Sequence, residues 1–247
     1  MFIAANWKMN LDKNSIKKFC DNFRNFVFND NIRVTIFPPT IYINYLSDLL
    51  IKSPVSVGGQ NCHFMSSGAF TGDISSNSLK EFGCEFVIVG HSERRNYYKE
   101  TNSYIKSCAE AAIKNDITPI ICVGESLNDR ENNNALNFIE RQINECLPDY
   151  FEKIIIAYEP IWSIGTGKIP SSNQIKEMHS FIKNIISFKL KKNVKVLYGG
   201  SVNSLNINKI LLVKNVDGIL VGGASLKIKE FLAIYNSAVK QLTLSSQ

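Results

Sequence analysis

The chain has 247 residues, of which 45% are hydrophobic and 20% charged, a composition that excludes disordered, collagenous and fibrous proteins and fits one or two globular domains. The net charge is +6, but lysine and arginine are dispersed and are not interleaved with aromatic residues, so we expect no nucleic-acid partner. The longest apolar runs are too short to cross a bilayer, and residues 1–5 lack the basic region of a signal peptide, so we expect no membrane association and a cytoplasmic location.

Eight short apolar runs recur along the chain and predict eight buried strands. Each run is nearly continuous rather than alternating, which is typical of a parallel sheet that is covered on both faces. In chain order the predicted strands are Phe2–Asn6, Ile32–Phe37, Val55–Gly59, Phe86–Gly90, Ile117–Val123, Ile154–Tyr158, Val194–Tyr198 and Gly218–Val221.

Segments with helical periodicity lie between these strands, most clearly Ala135–Leu147, Ser171–Leu190 and Lys229–Leu242. Strand and helix therefore alternate about eight times, at roughly 30 residues per unit. This order predicts an α/β protein with a (β/α)8 barrel of eight parallel strands, in which residues 1–247 form a single catalytic domain. The alternative is an open doubly wound sheet, but that fold usually carries GxGxxG after its first strand, where this chain has Asn6-Trp7-Lys8.

In a barrel of this kind, the chemistry takes place at the C-terminal ends of the strands. Here ionisable residues follow the first, fourth and sixth strands, whereas glycines follow the seventh and eighth. Gly200-Ser201 and Gly222-Gly223 open the last two connections, where glycine lets backbone N–H groups approach an anion. Because the two pairs follow adjacent strands, together they predict a phosphate site, although each alone is equally typical of a tight turn.

Glu159, His91 and Lys8 are the candidate reactive groups at these strand ends. Glu159 stands between a buried strand and Pro160, where exclusion of water would make its carboxylate a stronger base. His91 is one of only three histidines, and Lys8 suits an anion contact, a Schiff base or a surface position. Each alone is also compatible with a structural role, but with a phosphate site they favour proton transfer next to a carbonyl.

The segment Pro160–Lys168 is predicted to form a lid. It is apolar, begins with proline and has two glycines beyond its middle, which is typical of a hinged loop. A closed lid with Ile164 over Glu159 would exclude water from the base; the alternative is an ordinary strand-to-helix loop, for which the apolar content is unusual. The lid residues are Pro160, Ile161, Trp162, Ile164, Gly167 and Lys168.

The six cysteines are scattered and form no CxxC pair, so we expect reduced structural thiols rather than a zinc site. No grouping of His, Cys and carboxylate residues has the spacing of metal ligands, and the sequence carries no nucleophile elbow, Walker A or Rossmann motif. We therefore expect neither a metal nor a cofactor.

An ordered set of motifs carries a resemblance to one family. The motifs are Asn6–Asn10 (NWKMN), Gly58–Cys62 (GGQNC), Gly68–Gly72 (GAFTG), Gly90–Arg95 (GHSERR), Cys122–Glu125 (CVGE), Ala157–Trp162 (AYEPIW), Gly165–Lys168 (GTGK), Tyr198–Val202 (YGGSV) and Gly222–Leu226 (GGASL). Each is weak alone, but the whole set in this order resembles the triosephosphate isomerase family over essentially the full chain. The resemblance implies the TIM barrel fold.

The resemblance also implies a cofactor-independent aldose–ketose isomerase of glycolysis and gluconeogenesis, which interconverts dihydroxyacetone phosphate and D-glyceraldehyde 3-phosphate through an enediol(ate). By this resemblance, Glu159 takes a proton from carbon. A neutral His91 polarises the carbonyl and moves protons between the two oxygens. Lys8 stabilises negative charge on the substrate, and Asn6 helps to orient its oxygens.

The same resemblance assigns supporting residues around these groups. Glu93 is expected to support Lys8, and Ser92 and Cys122 are expected beside the catalytic side chains. Backbone N–H groups of the phosphate loops are expected to bind the phosphate. The residues concerned are Gly165, Ser201, Gly222 and Gly223.

Ile164 and Leu220 resemble the apolar residues that clamp the base in this family. The segment from Gln60 to Gly72 resembles a loop that inserts into a second subunit, with Thr71 near the partner's active site, so a homodimer is expected. Ser163 replaces the alanine that is usual in the lid, and we hypothesise that it alters lid closure.

Two other functions stay open from the sequence. One is a barrel that no longer catalyses and serves in binding or surface adhesion, which the intact charged residues argue against. The other is a different phosphate-sugar barrel enzyme, such as an aldolase or synthase that forms a Schiff base on Lys8.

Overall fold

Eight parallel strands close into a barrel in the part of the chain that this computed structural model describes, residues 1–23, 26–164, 166 and 168–245. Each strand pairs with the next in chain order, and β1 pairs with β8 to complete the ring. The strands are β1 (Phe2–Asn6), β2 (Arg33–Phe37), β3 (Ser56–Gly59), β4 (Phe86–Val89), β5 (Thr118–Val123), β6 (Ile155–Tyr158), β7 (Lys195–Tyr198) and β8 (Gly218–Val221). The predicted barrel is confirmed, and the open-sheet alternative is wrong.

Helices connect the strands on the outside of the barrel. Within the described residues they are α1 (Lys13–Asp21), α2 (Ile43–Leu50), α3 (Ser76–Glu81), α4 (Ser92–Tyr97), α5 (Asn102–Lys114), α6 (Leu127–Glu131), α7 (Ala135–Cys146), α8 (Ser172–Leu190), α9 (Ile207–Leu211) and α10 (Ile228–Ser245). Short 3₁₀ turns span Thr40–Tyr42, Ile161–Ser163 and Gly223–Leu226.

The start of α8 illustrates how the sequence sets a boundary. Ser171, which stands at the predicted start of this helix, is its N-cap: its hydroxyl accepts a hydrogen bond from the backbone N–H of Gln174 at 3.3 Å. The Gln174 side chain in turn accepts one from the backbone N–H of Ser171 at 2.8 Å. This reciprocal capping box satisfies two N–H groups that the helix itself leaves unpaired.

The strands alternate between two apolar cores. On β1, Phe2 and Ala4 face the barrel interior, whereas Ile3 and Ala5 pack against the surrounding helices. Because successive side chains of a strand point to opposite faces, both faces of each strand are buried. This double burial explains why the strands read as continuous apolar runs.

His179 on α8 is fully buried against the barrel. Its ring lies against Tyr158 and Tyr198, with centroids 5.8 and 6.5 Å apart. Nδ1 is 3.1 Å from the carbonyl oxygen of Asn215, while Nε2 makes no hydrogen bond with a described residue. Burial lowers the pKa of His179 to about 4, because the charged imidazolium loses its hydration.

We expect His179 to make folding stability depend on pH. The unfolded imidazole binds its proton near 6.5 and the folded one near 4, so this stability is present above pH 6.5 and is lost as the pH falls towards 4. The loss is up to roughly 3 kcal/mol. The charges of Asp217 and Lys183, which face the ring, act on the pKa of His179 in opposite directions. His179→Gln should flatten the pH dependence of urea unfolding over this window, and an unchanged slope would contradict the assignment.

Among the described residues, none forms a helix that is both long enough and apolar enough to cross a membrane.

Candidate active site

A cavity of about 250 Å³ opens where the strands end. Its lining residues come from the ends of β1, β4, β6, β7 and β8 and from the segment after β6. They are Asn6, Lys8, His91, Glu159, Ile164, Gly199, Gly200, Ser201, Val202, Leu220, Gly222 and Gly223. A concave site with a few converging polar groups is typical of a small-molecule site.

Glu159 is almost completely buried, at 2% exposure. Its backbone N–H donates to the Val123 carbonyl at 2.7 Å, which fixes the residue against the end of β5. One carboxylate oxygen, Oε2, accepts a hydrogen bond from the backbone N–H of Ser92 at 2.9 Å. The other, Oε1, lies 3.1 Å from Nε2 of His91. Ser92 therefore lies in direct contact with Glu159.

His91 is held in one tautomer by its position before α4. As the N-cap of this helix, it accepts a hydrogen bond on Nδ1 from the backbone N–H of Glu93 at 3.3 Å. An imidazole nitrogen that accepts carries no proton, so the proton of the neutral ring lies on Nε2. Nε2 faces the cavity and the carboxylate of Glu159.

Lys8 has an unusual backbone conformation, with φ of 52°. Its N–H donates to the side chain of Asn6 at 3.0 Å, and its carbonyl accepts from the side chain of Gln60 at 2.7 Å. The ammonium forms an ion pair with Glu93, with Nζ and Oε1 2.5 Å apart. The support of Lys8 by Glu93 expected from the resemblance is thus present in the geometry.

Cys122 lies inside the barrel next to Glu159. Its side chain is fully buried with Ala157 and Leu197 in the interior core. Burial raises the pKa of the Cys122 thiol well above its usual value, and the negative charge of Glu159 raises it further. The thiol therefore stays neutral beside the carboxylate.

The predicted phosphate residues follow β7 and β8 and reach the same cavity. Ser201, Gly222 and Gly223 all line it, and a Cβ added at Gly223 would meet nothing within 4 Å. The Ser201 hydroxyl donates to the Ser163 carbonyl at 2.6 Å, which joins the connection after β7 to the predicted lid. Gly165 lies outside the described residues. In the described ranges, no cluster of His, Cys, Asp and Glu could hold a metal ion.

Comparison with known proteins decides the family. A family model described as triosephosphate isomerase matches residues 1–238. The chain belongs to the triosephosphate isomerase family. A triosephosphate isomerase of Finegoldia magna is 41% identical over 243 residues, covering 95% of this chain and 97% of the relative. One from Francisella tularensis subsp. mediasiatica is 39% identical, covering 98% of both chains. The crystal structure of the enzyme from Bartonella henselae superposes with a TM-score of 0.86 at 36% identity, covering 96% of this chain and 98% of that one.

The lid of this triosephosphate isomerase family member begins in a 3₁₀ turn, Ile161–Ser163. Trp162 donates its indole N–H to Oε1 of Glu125 at 2.9 Å. The same oxygen accepts from the hydroxyl of Tyr158 and from the guanidinium of Arg130, at 3.0 and 2.7 Å. This fully buried carboxylate therefore holds the first half of the lid in place.

The other predicted lid residues differ in how far they are exposed to solvent. Pro160 is buried, Ile164 lines the cavity together with Leu220, and Lys168 is exposed. Gly167 lies outside the described residues. The Thr166 hydroxyl donates to the Trp162 carbonyl at 2.9 Å, so the exposed part of the segment is tied to its first turn.

Ser163 is fully buried; its Oγ lies near the Tyr198 hydroxyl, but neither hydroxyl makes a hydrogen bond of good geometry with a described residue. An unpaired buried hydroxyl is destabilising, so Ser163→Ala is expected to raise the free energy of unfolding by about 1 kcal/mol. Ser56→Ala is the matched control, because the Ser56 hydroxyl is also buried but lies 2.7 Å from the Thr35 hydroxyl.

Thermal and urea unfolding of both serine variants measure this difference. We expect Ser56→Ala to lower the free energy of unfolding, whereas Ser163→Ala should raise it. A loss of stability in both would contradict the view that the Ser163 hydroxyl is unpaired. Turnover of Ser163→Ala, measured in the same preparations, tests the hypothesis that this serine alters lid closure.

The predicted subunit loop is only partly exposed. Gln60 points back into its own chain, where its amide donates to the carbonyls of Lys8 and Phe37 at 2.7 and 2.9 Å. Thr71 is exposed near the tip of the loop. The His63 ring stacks on Phe64, with centroids 4.3 Å apart.

Two groups of residues around the site were not assigned a role from the sequence. Glu125 and Arg130 brace the lid, although the position of Glu125 directly after a strand was a usable signal. Arg95 binds backbone carbonyls at two strand ends. It belongs to the GHSERR motif, which does not itself show what its guanidinium contacts.

Proposed function

We propose that this chain interconverts dihydroxyacetone phosphate and D-glyceraldehyde 3-phosphate by proton transfer through an enediol(ate), with Glu159 as the base. The observation that carries the proposal is the convergence of the Glu159 carboxylate, the His91 imidazole and the Lys8 ammonium on one cavity. Membership of the triosephosphate isomerase family supports the same substrate pair. The glycolytic role follows from this reaction.

Glu159 removes the proton from the carbon next to the carbonyl and returns it to the neighbouring carbon. Hydrogen bonding to the Ser92 N–H stabilises the ionised carboxylate in the conformation described. Ile164 and Leu220 line the same cavity and, under a closed lid, exclude water from the carboxylate and the reacting carbon.

His91 acts on the substrate oxygens. With its proton on Nε2, the neutral ring donates to the carbonyl oxygen and stabilises the charge that develops there as carbon loses its proton. The same nitrogen, once deprotonated, accepts the proton of the adjacent hydroxyl, so the ring moves protons between the two oxygens. Asn6 orients these oxygens from the end of β1, and Lys8 supplies positive charge to the anionic intermediate.

The phosphate is held by Ser201, Gly222 and Gly223, with Gly165 joining from the lid. Open space at Gly223 supports close approach of a phosphate to the backbone. A phosphate that takes the Ser201 hydroxyl competes with the carbonyl of Ser163. Substrate binding therefore weakens one of the contacts that hold the lid, which allows Pro160–Lys168 to close over the enediolate and retain its phosphate.

An isomerase assay that couples glyceraldehyde 3-phosphate formation to a dehydrogenase tests the function. We expect saturable turnover that inorganic phosphate inhibits competitively. The absence of turnover, with intact fold and phosphate binding, would favour the non-catalytic barrel. A Lys8 adduct trapped by borohydride would favour a Schiff-base enzyme instead, and we expect no such adduct.

We propose a homodimer on the basis of the segment from Gln60 to Gly72. Phe64, Met65 and Phe70 are 39, 44 and 39% exposed. Clustered exposed apolar side chains are typical of a subunit interface. Sedimentation velocity should give the mass of two chains at micromolar concentration, and a monomer at that concentration would contradict the proposal.

We propose that residues 1–247 form one domain. Every strand of the closed barrel contacts both neighbours, so no strand can unfold without exposing the edges of two others. A single cooperative transition seen by both far-ultraviolet circular dichroism and tryptophan fluorescence would support one domain. Two separated transitions would contradict it.

We also propose a cytoplasmic location. All six cysteines are free and buried, and burial raises the pKa of Cys20 to about 12, so that its thiol is a poor nucleophile. Free thiols are typical of a reducing compartment. Cell fractionation should recover the protein with cytoplasmic markers, and recovery with another compartment would contradict this location.

A further inference from the structure

The guanidinium of Arg95 binds the backbone at the ends of two strands. Its Nε donates to the carbonyl of Gly90, just after β4, at 2.8 Å. Its Nη2 donates to the carbonyl of Cys122, on β5, also at 2.8 Å. Two further contacts hold the guanidinium, called the fork below, in place. Nη1 donates to the side chain of Asn102 at 2.6 Å, and Nη2 lies 3.4 Å from the sulfur of Cys146.

Each of these carbonyls lies next to a reactive group. Gly90 directly precedes His91, and its φ of 69° makes it the turn that sends the chain from β4 towards the imidazole. Cys122 is followed by Val123, whose carbonyl accepts the backbone N–H of Glu159 at 2.7 Å. One guanidinium therefore joins the end of β4, which carries His91, to β5, whose Val123 carbonyl in turn holds the backbone of Glu159 at the end of β6.

We propose that Arg95 is a positioning residue for the reaction, which sets the relative placement of His91 and Glu159 through the carbonyls of Gly90 and Cys122. The inference rests on the proposed isomerase function. Charge-assisted hydrogen bonds are stronger than neutral ones, and the planar guanidinium fixes the direction of each. Misplacement of a catalytic group by about 1 Å can cost roughly 10²-fold in rate. The hydrogen bonds of Arg95 are therefore expected to have a large effect on the reaction rate.

The phosphate loops offer a way to separate positioning from substrate binding. Ser201, Gly222 and Gly223 follow β7 and β8, and Arg95 contacts neither of these strands. Loss of the fork should therefore alter the reacting groups while leaving phosphate binding intact. A residue that merely stabilised the fold would change the unfolding temperature without this selective effect.

The test uses the full-length protein and the variants Arg95→Met and Arg95→Lys. We expect kcat to fall about 10–100-fold for Arg95→Met and less for Arg95→Lys, because a lysine keeps the charge but cannot span both carbonyls. KM and the inhibition constant for inorganic phosphate should stay within about threefold of the wild-type values. Arg33→Met is the matched control, since Arg33 pairs with Glu85 at the other end of the barrel.

A second readout does not depend on activity. In protein labelled with ¹⁵N-histidine, only three histidines contribute signals, and His91→Gln assigns that of His91. Arg95→Met should shift the His91 signals and leave those of His63 and His179 in place. Arg33→Met should shift none of them. If Arg95→Met does not fold, Asn102→Ala, which removes one support of the fork, should show the same pattern with a smaller loss.

The inference would be overturned by a folded Arg95→Met with kcat within about threefold of wild type. It would equally be overturned by a loss in kcat with unchanged His91 signals, or by a rise in KM alone. An inactive wild-type protein would instead refute the proposed function. The His91 signals would still test whether Arg95 positions the imidazole.

Discussion

Replacing Glu159 with glutamine is expected to lower kcat by about 10²–10⁴-fold, the usual contribution of a positioned base. The amide cannot accept the proton from carbon, whereas its carbonyl oxygen can still accept the hydrogen bond from the Ser92 N–H. The fold and the phosphate loops should therefore be preserved, and KM should change little.

The control for this variant is Glu85→Gln. Glu85 precedes β4 at the opposite end of the barrel and pairs with Arg33, so the control should keep the wild-type rate. The measurement is steady-state turnover together with thermal unfolding of both variants. If Glu159→Gln keeps a rate within about tenfold of the wild type, Glu159 is not the base.

Replacing Gly124 with alanine is expected to reduce both stability and turnover. A Cβ at this position would lie 1.7 Å from the carbonyl oxygen of Glu159. Because the obstacle is backbone, the clash cannot be relieved by a side-chain rotation, and we expect the free energy of unfolding to fall by about 3 kcal/mol or more. The displaced Glu159 should also lower kcat by roughly 10²-fold.

Gly223→Ala is the control for Gly124→Ala. It also replaces a glycine with alanine, but without a steric clash. Nothing lies within 4 Å of a Cβ placed at Gly223, so its unfolding temperature should stay close to that of the wild type. Its inhibition by inorganic phosphate reports on the proposed phosphate loop. An unfolding temperature for Gly124→Ala equal to that of Gly223→Ala would show that the contact with Glu159 is wrongly assigned.

The strands could be predicted from the sequence because each is buried on both faces. Double burial removes the polar alternation and leaves a continuous apolar run such as β5, which the structure begins at Thr118, one residue after the predicted start. The ends of elements are less predictable, since they depend on hydrogen bonds. The helix predicted over Lys229–Leu242, for example, extends from Ile228 to Ser245 in the structure.

The reactive groups of the candidate site could also be located, because parallel strands bring their C-terminal ends to one face. That rule predicted that Glu159, His91 and Lys8 would meet, and all three line one cavity. The same rule does not predict which side chains bind the backbone carbonyls at these strand ends. Arg95 reaches two strand ends from α4, and Gln60 reaches the carbonyl of Lys8 from the connection after β3; a sequence pattern does not encode such long-range acceptors.

The contacts of the predicted lid likewise could not be derived from its amino-acid composition. The composition of Pro160–Lys168 predicted a hinged segment, but not the anchor that holds it. Four donors converge on one oxygen of Glu125, from Tyr158, Trp162 and two nitrogens of Arg130. This arrangement depends on where α6 lies relative to β6, which follows from packing and not from the local sequence.

Incorporation of deuterium from solvent tests the central claim most directly. If Glu159 carries a proton between the two carbons of an enediol(ate), product formed in D₂O should carry deuterium at the carbon that receives the proton, as seen by NMR. The rate of incorporation should fall with turnover in Glu159→Gln. Product that carries no deuterium and forms as fast in Glu159→Gln as in the wild type would contradict the account, because the hydrogen would then pass between the carbons without this carboxylate.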